Sequence, residues 1–176
     1  MKFHNKNAQI FIPDGTDIET ALGRTTALCF AAHQDDTEIM AFHEIEKGCG
    51  SKTDWFTSVI VTNGAGSPRR EQNVAAMIGG YSAQIQLDYS SREVYDDREA
   101  VRNDIASIIK NCKPAAVYTH NPADKHRTHV NVAVRTIETL KSMDKSELPQ
   151  KLFGLEVWRN LDWLDDDKKV VFDCSN

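Results

Sequence analysis

Two short stretches of the chain concentrate histidine and acidic side chains, which are the residue types best suited to hold a metal ion. The first stretch covers residues 33–38 (HQDDTE) and the second covers residues 120–129 (HNPADKHRTH). Catalytic zinc sites commonly use three histidine or carboxylate ligands and leave one position for water. His33 and Asp36 are three residues apart, so one turn can direct both toward a single point. Together with the distant His129, they are the predicted metal ligands.

Two residues next to these predicted ligands carry the groups that hydrolysis needs. Asp35 is adjacent to Asp36 and is suited to take a proton from an attacking water molecule. His126 lies three residues before His129 and is suited to stabilise an oxyanion or to protonate a leaving amine. A lone acidic pair after a strand would equally well cap a helix, and it is the second cluster that favours the metal site.

The elements that must position these clusters follow an alternating pattern of apolar runs and helical periodicity. This pattern predicts an α/β fold in which helices cover a mostly parallel sheet. We expect strands over residues 26–32, 57–62, 83–87, 115–119, 152–157 and 169–172. We expect helices over residues 36–48, 69–78, 96–112 and 130–140. Each His/Asp cluster directly follows a strand, and such folds bind ligands beyond the carboxyl ends of their strands.

Composition excludes several classes of protein. A chain of 176 residues fits one domain, and a net charge of −5 opposes non-specific binding to nucleic acid. No apolar run approaches the ~18 residues of a membrane span, and the first residues lack the apolar stretch of a secretory signal. The four cysteines form no CxxC pair, which indicates free thiols. We therefore expect a cytoplasmic protein that has no nucleic-acid partner and no membrane span.

The two clusters resemble the motifs of a known family. Residues 33–38 resemble the AHPDDE motif of the PIG-L/LmbE-like zinc-dependent N-deacetylases, and residues 124–129 resemble their later HPDH motif. Residues 62–64 (TNG) and 69–71 (RRE) fit the turn and the Arg-Glu helix of that family. The resemblance extends over about residues 27–137. It implies a Rossmann-like three-layer sandwich that removes an acetyl group from an N-acetylated amino sugar, such as an N-acetylglucosaminyl conjugate.

Matched position by position, the resemblance implies a role for each residue of the clusters. It makes His33, Asp36 and His129 the ligands of Zn²⁺, with another divalent metal as the alternative. It makes Asp35 the general base. It makes His126 the acid and the group that stabilises the oxyanion.

Other positions near the clusters have less specific expected roles. The resemblance implies a substrate contact by Arg69 or Arg70, and it does not choose between them. His120 closes a predicted strand, and we expect either a buried, hydrogen-bonded side chain or a group that supports the pocket. Thr128 replaces the aspartate that in the family hydrogen-bonds the histidine matching His126. We hypothesise that Asp124 takes over that function.

The sequence also leads to expectations about the extent of the domain, its partner and its oligomeric state, and it leaves the activity with two alternatives. One domain over residues 1–176 is expected, and it is short for the family near residues 66–69 and at its C-terminus. The expected partner is a small amino-sugar substrate, and a homo-oligomer remains an alternative to a monomer. The activity has two rivals: a relative that binds metal and ligand without turnover, and a hydrolase of a different amide or ester.

Overall fold

A computed structural model describes residues 1–64 and 69–174, and its strands form one six-stranded sheet. The strands are β1 (Gln9–Phe11), β2 (Ala27–Ala31), β3 (Phe56–Thr62), β4 (Ala83–Tyr89), β5 (Ala116–His120) and β6 (Lys151–Leu155). Their order across the sheet is β1-β4-β3-β2-β5-β6. Only the pairing of β1 with β4 is antiparallel, and all other neighbouring strands in the described residues run parallel. The predicted mostly parallel α/β sheet is therefore confirmed.

Helices cover both faces of this sheet and complete three layers. They are α1 (Ile18–Gly23), α2 (Asp36–Met40), α3 (Phe42–Gly48), α4 (Arg69–Ile78), α5 (Ser91–Asp96), α6 (Arg98–Cys112) and α7 (Arg127–Ser142). One apolar core joins one face of the sheet to α1, α5, α6 and α7, and a second joins the opposite face to α2, α3 and α4. Successive residues of β2 alternate between them, since Leu28 belongs to the first core and Cys29 to the second. Every residue of β2 and β3 is buried, as expected for central parallel strands.

The order of the strands explains where a site can form. From β2 the chain continues to β3 on one side, whereas β5 pairs with β2 on the other side. At such a switch point the connections leave in opposite directions, and a crevice opens beyond the carboxyl ends of the two central strands. The first His/Asp cluster follows β2 and the second begins with the last residue of β5. Both clusters therefore lie at this crevice.

Several predicted elements are confirmed, and others require correction. The helix over residues 69–78 and the strands on either side of it are present. The predicted strand over residues 169–172 is wrong, because that stretch pairs with no described strand and Phe172 stacks on His43 instead. The predicted helix over residues 36–48 is two helices, because buried Ala41 leaves the helical region with φ −115° and ψ 24°. Since alanine is a good helix former, the sequence gives no sign of this break.

Further elements were missed. The predicted helix over residues 96–112 begins at Arg98, and the separate helix α5 precedes it. Ser90 and Glu93 form a capping box at the start of α5, and this Ser-x-x-Glu pattern is a signal that could have located the helix. The elements β1 and α1 were also not predicted. None of the helices among the described residues is long and apolar enough to cross a membrane.

Candidate metal centre

The three predicted metal ligands converge at the crevice between β2 and β5. His33 Nδ1 lies 3.2 Å from His129 Nε2 and 3.2 Å from Asp36 Oδ2. His129 Nε2 lies 3.4 Å from Asp36 Oδ2. Ligand atoms at about 2.0–2.2 Å from a tetrahedral zinc ion lie roughly 3.3–3.6 Å from one another. Three donor atoms at these separations could hold one divalent ion, and His33, His126 and His129 form a second possible set.

Asp36 and His129 are the two buried members of this triangle, and the surroundings of Asp36 favour the carboxylate form. Its Oδ2 atom accepts a hydrogen bond of 2.8 Å from the backbone N–H of His33 and lies 3.3 Å from His120 Nε2. Burial alone would raise the pKa of Asp36. The contacts of Asp36 with His120, His33 and His129 outweigh burial and hold that pKa well below its usual range.

Asp35 occupies the turn between β2 and α2 in a backbone conformation that is uncommon for residues other than glycine. Its φ is 80° and its ψ is −27°, in the left-handed region that aspartate tolerates better than most side chains. The side chain is exposed, and its carboxylate makes no hydrogen bond to another described residue. Partial desolvation and the charge of Asp36 raise the pKa of Asp35, while His33 lowers it. A carboxylate that is not engaged elsewhere and has a raised pKa suits a proton acceptor.

His129 is held from behind by a second carboxylate. It lies in the first turn of α7, and its Nδ1 atom is 2.9 Å from Asp124 Oδ2, with both side chains buried. Asp124 Oδ1 also accepts a hydrogen bond of 2.8 Å from the backbone N–H of His126. Desolvation and nearby His120 lower the pKa of His129, although Asp36 and Asp124 act in the opposite direction. The neutral imidazole is the form that binds a metal.

His126 begins α7 at its N-cap position and is exposed at the mouth of the crevice. Its ring centroid lies 5.0 Å from that of His33 and 4.4 Å from that of His129. Asp124 contacts His126 through the backbone nitrogen, whereas its side-chain contact is with His129. The side chain of Asp124 thus contacts the predicted ligand His129 and not the ring of His126. Thr128 is buried.

His120 lies directly behind the triangle. It is fully buried, and its ring stacks on that of His129 with a centroid distance of 4.0 Å. Its Nε2 atom accepts a hydrogen bond of 2.8 Å from the backbone N–H of Ala32. Through this bond His120 supports the loop after β2, and Asp36, His120 and His129 also form a group of three that could hold a metal ion. The burial and the hydrogen bond of His120 correspond to the expected buried, hydrogen-bonded histidine.

The two arginines that were expected near the substrate differ in their surroundings. The guanidinium group of Arg69 forms an ion pair with Asp88 and donates a hydrogen bond to the backbone carbonyl of Asn7. Arg70 is exposed and forms no ion pair with any residue that the structure describes. Of the predicted short loop near residues 66–69, residues 66–68 lie outside the described residues.

A buried polar group beneath Asp35 was not predicted. Gln72, on α4, accepts a hydrogen bond of 3.1 Å from the backbone N–H of Asp35 and donates one of 2.8 Å to Glu38. The hydroxyl group of Tyr81 donates to the same Glu38 oxygen at 2.6 Å. Gln72 lies four residues before buried Ala76 and therefore on the same face of α4. A polar residue on the buried face of a helix is the sequence signal that could have identified it.

Comparison with known proteins gives one family and several similar folds. A profile of the family described as PIG-L, GlcNAc-PI de-N-acetylase, matches residues 28–140. The conserved protein TT1542 from Thermus thermophilus is 18% identical with a TM-score of 0.63, over 74% of this chain and 66% of that one. The N,N'-diacetylchitobiose deacetylase from Pyrococcus horikoshii is 22% identical with a TM-score of 0.54, over 66% of this chain and 49% of that one.

A third similar structure is the A40926 pseudoaglycone deacetylase Dbv21. It is 21% identical with a TM-score of 0.57, over 73% of this chain and 62% of that one. Identities this low establish a shared fold and carry no further conclusion about activity. The chain spans between about half and two thirds of the length of these three structures.

Proposed function

The chain belongs to the PIG-L family of GlcNAc-PI de-N-acetylases, and we propose that it is a metal-dependent hydrolase that removes the acetyl group from an N-acetylated amino sugar or its conjugate. The observation that carries this proposal is the triangle formed by His33, Asp36 and His129, whose two histidines are 96 residues apart in the chain. Two histidines and one carboxylate suit Zn²⁺, with other divalent metals as alternatives.

An ion held by these three side chains would polarise the amide carbonyl and make water a better nucleophile. The exposed carboxylate of Asp35 then takes a proton from the attacking water. Its position in sequence next to Asp36 supports this role, and so does its lack of a hydrogen bond within the described residues. The oxygen of the water adds to the carbonyl carbon, and the amide C–N bond breaks to give acetate and a free amine.

We assign two roles to His126. It stabilises the oxyanion, and it protonates the nitrogen of the leaving amine as the C–N bond breaks. Its exposed ring lies beside those of His33 and His129, so its N–H would be suited to donate to a carbonyl oxygen at this end of the crevice. Asp124 orients this end of the crevice, because it fixes both the backbone of His126 and the ring of His129.

We assign the contact with the sugar to Arg70 rather than to Arg69. The guanidinium group of Arg69 is already engaged with Asp88, whereas that of Arg70 is exposed near the start of α4. An exposed guanidinium presents several donors to hydroxyl or phosphate oxygens of a sugar conjugate.

The test combines elemental analysis of the purified protein with an assay of acetate release across a panel of N-acetylglucosaminyl conjugates. We expect about one divalent metal ion per chain and acetate release from at least one conjugate. His129→Ala is the control, which should lose both metal and activity. Metal binding without acetate release would favour a non-catalytic binding protein, and a product of different mass would favour a hydrolase of another amide or ester.

A further inference from the structure

The turn that carries Asp35 is held by a contact from a distant helix. Asp35 has a positive φ and is the N-cap of α2, so its peptide N–H has no acceptor within the helix. This N–H donates to Gln72 Oε1, which is 37 residues away in sequence. The Asp35 N–H is therefore bound by a side chain, whereas the corresponding N–H at many helix starts is bound by water.

The amide of Gln72 has only one orientation that satisfies all its partners. Its Nε2 atom donates to Glu38 Oε1 at 2.8 Å and to Gln84 Oε1 at 3.2 Å. Both partners are oxygen acceptors, so the nitrogen must face them and the oxygen must face Asp35. Gln72 is 3% exposed, which removes water as a competing partner. The side chain is thus oriented toward the Asp35 turn before any substrate binds.

We infer that Gln72 is a positioning residue that fixes the left-handed turn at Asp35 and thereby directs the Asp35 carboxylate toward the metal centre. This inference rests on the proposed function, in which Asp35 is the base. A base that is displaced by a fraction of an ångström loses its alignment with the attacking water. Gln72 touches neither the predicted ligands nor the mouth of the crevice, and it acts through the backbone of Asp35.

Three variants test this inference. Gln72→Met keeps the length of the side chain and removes its hydrogen-bonding groups. Gln72→Glu keeps an oxygen that can accept from the Asp35 N–H. Thr139→Val is the control, since Thr139 is also buried and hydrogen-bonded, on α7, and among the described residues it forms no hydrogen bond with the Asp35 turn or with α4. The three are compared by kcat, KM, bound metal and exchange of the Asp35 amide hydrogen in the metal-free protein.

We expect Gln72→Met to lower kcat about 10- to 100-fold with little change in KM or bound metal. We expect the Asp35 amide to exchange faster in this variant than in the parent protein or in Thr139→Val. Gln72→Glu should not restore kcat, because its second oxygen meets the acceptor oxygens of Glu38 and Gln84. Unchanged amide exchange in Gln72→Met, or faster exchange with full kcat, would overturn the inference. If the parent protein released no acetate, the proposed function would fail, and amide exchange would still decide whether Gln72 fixes the turn.

Discussion

Asp124 Oδ2 lies 2.9 Å from His129 Nδ1, and the same carboxylate accepts the backbone N–H of His126 through Oδ1 at 2.8 Å. Both contacts need an acceptor on Asp124, and an ionised carboxylate has only acceptors to offer. A proton on His129 Nδ1 leaves a lone pair on Nε2, which faces His33 and Asp36. Asp124, which is not one of the proposed ligands, therefore selects the tautomer of His129 that could bind a metal.

Asp124→Asn should weaken metal binding about 10- to 100-fold while the protein stays folded. An amide has one oxygen and one NH₂ group, so it cannot place an acceptor at both positions that the two carboxylate oxygens of Asp124 occupy. If its NH₂ group faces His129 Nδ1, the ring proton moves to Nε2 and the metal-binding lone pair is lost. Competition with a chromophoric chelator measures the affinity, and the nitrogen chemical shifts of His129 report its tautomer.

Asp104→Asn is the control for this prediction. Asp104 is also buried and accepts two hydrogen bonds, from the backbone of His4 and from the hydroxyl group of Tyr89. It is not part of the metal centre, so its substitution should leave metal affinity unchanged. Equal losses of affinity in both variants would mean that Asp124 acts through general stability and not through His129.

Asp35→Asn should retain the metal and lose nearly all turnover. Asparagine tolerates the left-handed backbone at this position, so the turn is preserved while the proton acceptor is removed. Asp36→Asn should instead lose metal, because it weakens the only carboxylate of the ligand triangle. Elemental analysis and acetate release on the same preparations check both. Parent-like turnover in Asp35→Asn would show that another group is the base.

Gly79→Ala should lower the free energy of unfolding by about 1–3 kcal/mol through overpacking. A Cβ atom at Gly79 would lie 2.5 Å from Tyr81 Cε1 and 2.9 Å from Ile45 Cγ2, and both side chains are buried. Gly23→Ala is the control, because a Cβ at Gly23 meets no atom within 4 Å. Urea unfolding of both variants measures the difference, and equal stabilities would contradict the packing described around Gly79.

The free energy of unfolding should fall at alkaline pH, in part because of the buried thiol of Cys112. Burial raises the pKa of this thiol to about 12 from an ordinary value of 9.0, against a smaller lowering by Thr25. The folded state thus favours the protonated thiol. This contribution is fully present below pH 9.0 and is lost as pH rises toward 12, at up to about 1.4 kcal/mol per pH unit.

Urea unfolding at about pH 8 and about pH 10.5 measures this slope. Cys112→Ala should show a smaller loss between the two pH values than the parent protein. Cys49→Ala should show the parent slope, because Cys49 is exposed. Identical slopes in all three proteins would remove Cys112 as a source of the pH dependence.

Several strands and helices could be predicted because their signals are local. Apolar runs such as residues 57–62 and the periodicity of residues 69–78 depend only on neighbours in sequence. The strand expected over residues 169–172 shows where prediction from local sequence patterns fails. Val170 and Val171 favour a strand by residue type, but both are exposed and no described strand lies beside them.

The sequence by itself determined the class of fold and the residue types of the metal centre, since both depend on patterns within short segments. Only the tertiary structure decided which groups meet. It made β2 and β5 neighbours, which brings His33 within 3.2 Å of His129. It also directed the side chain of Asp124 to His129. These outcomes depend on long-range strand pairing and on side-chain direction, and neither is encoded in the spacing of residues along the chain.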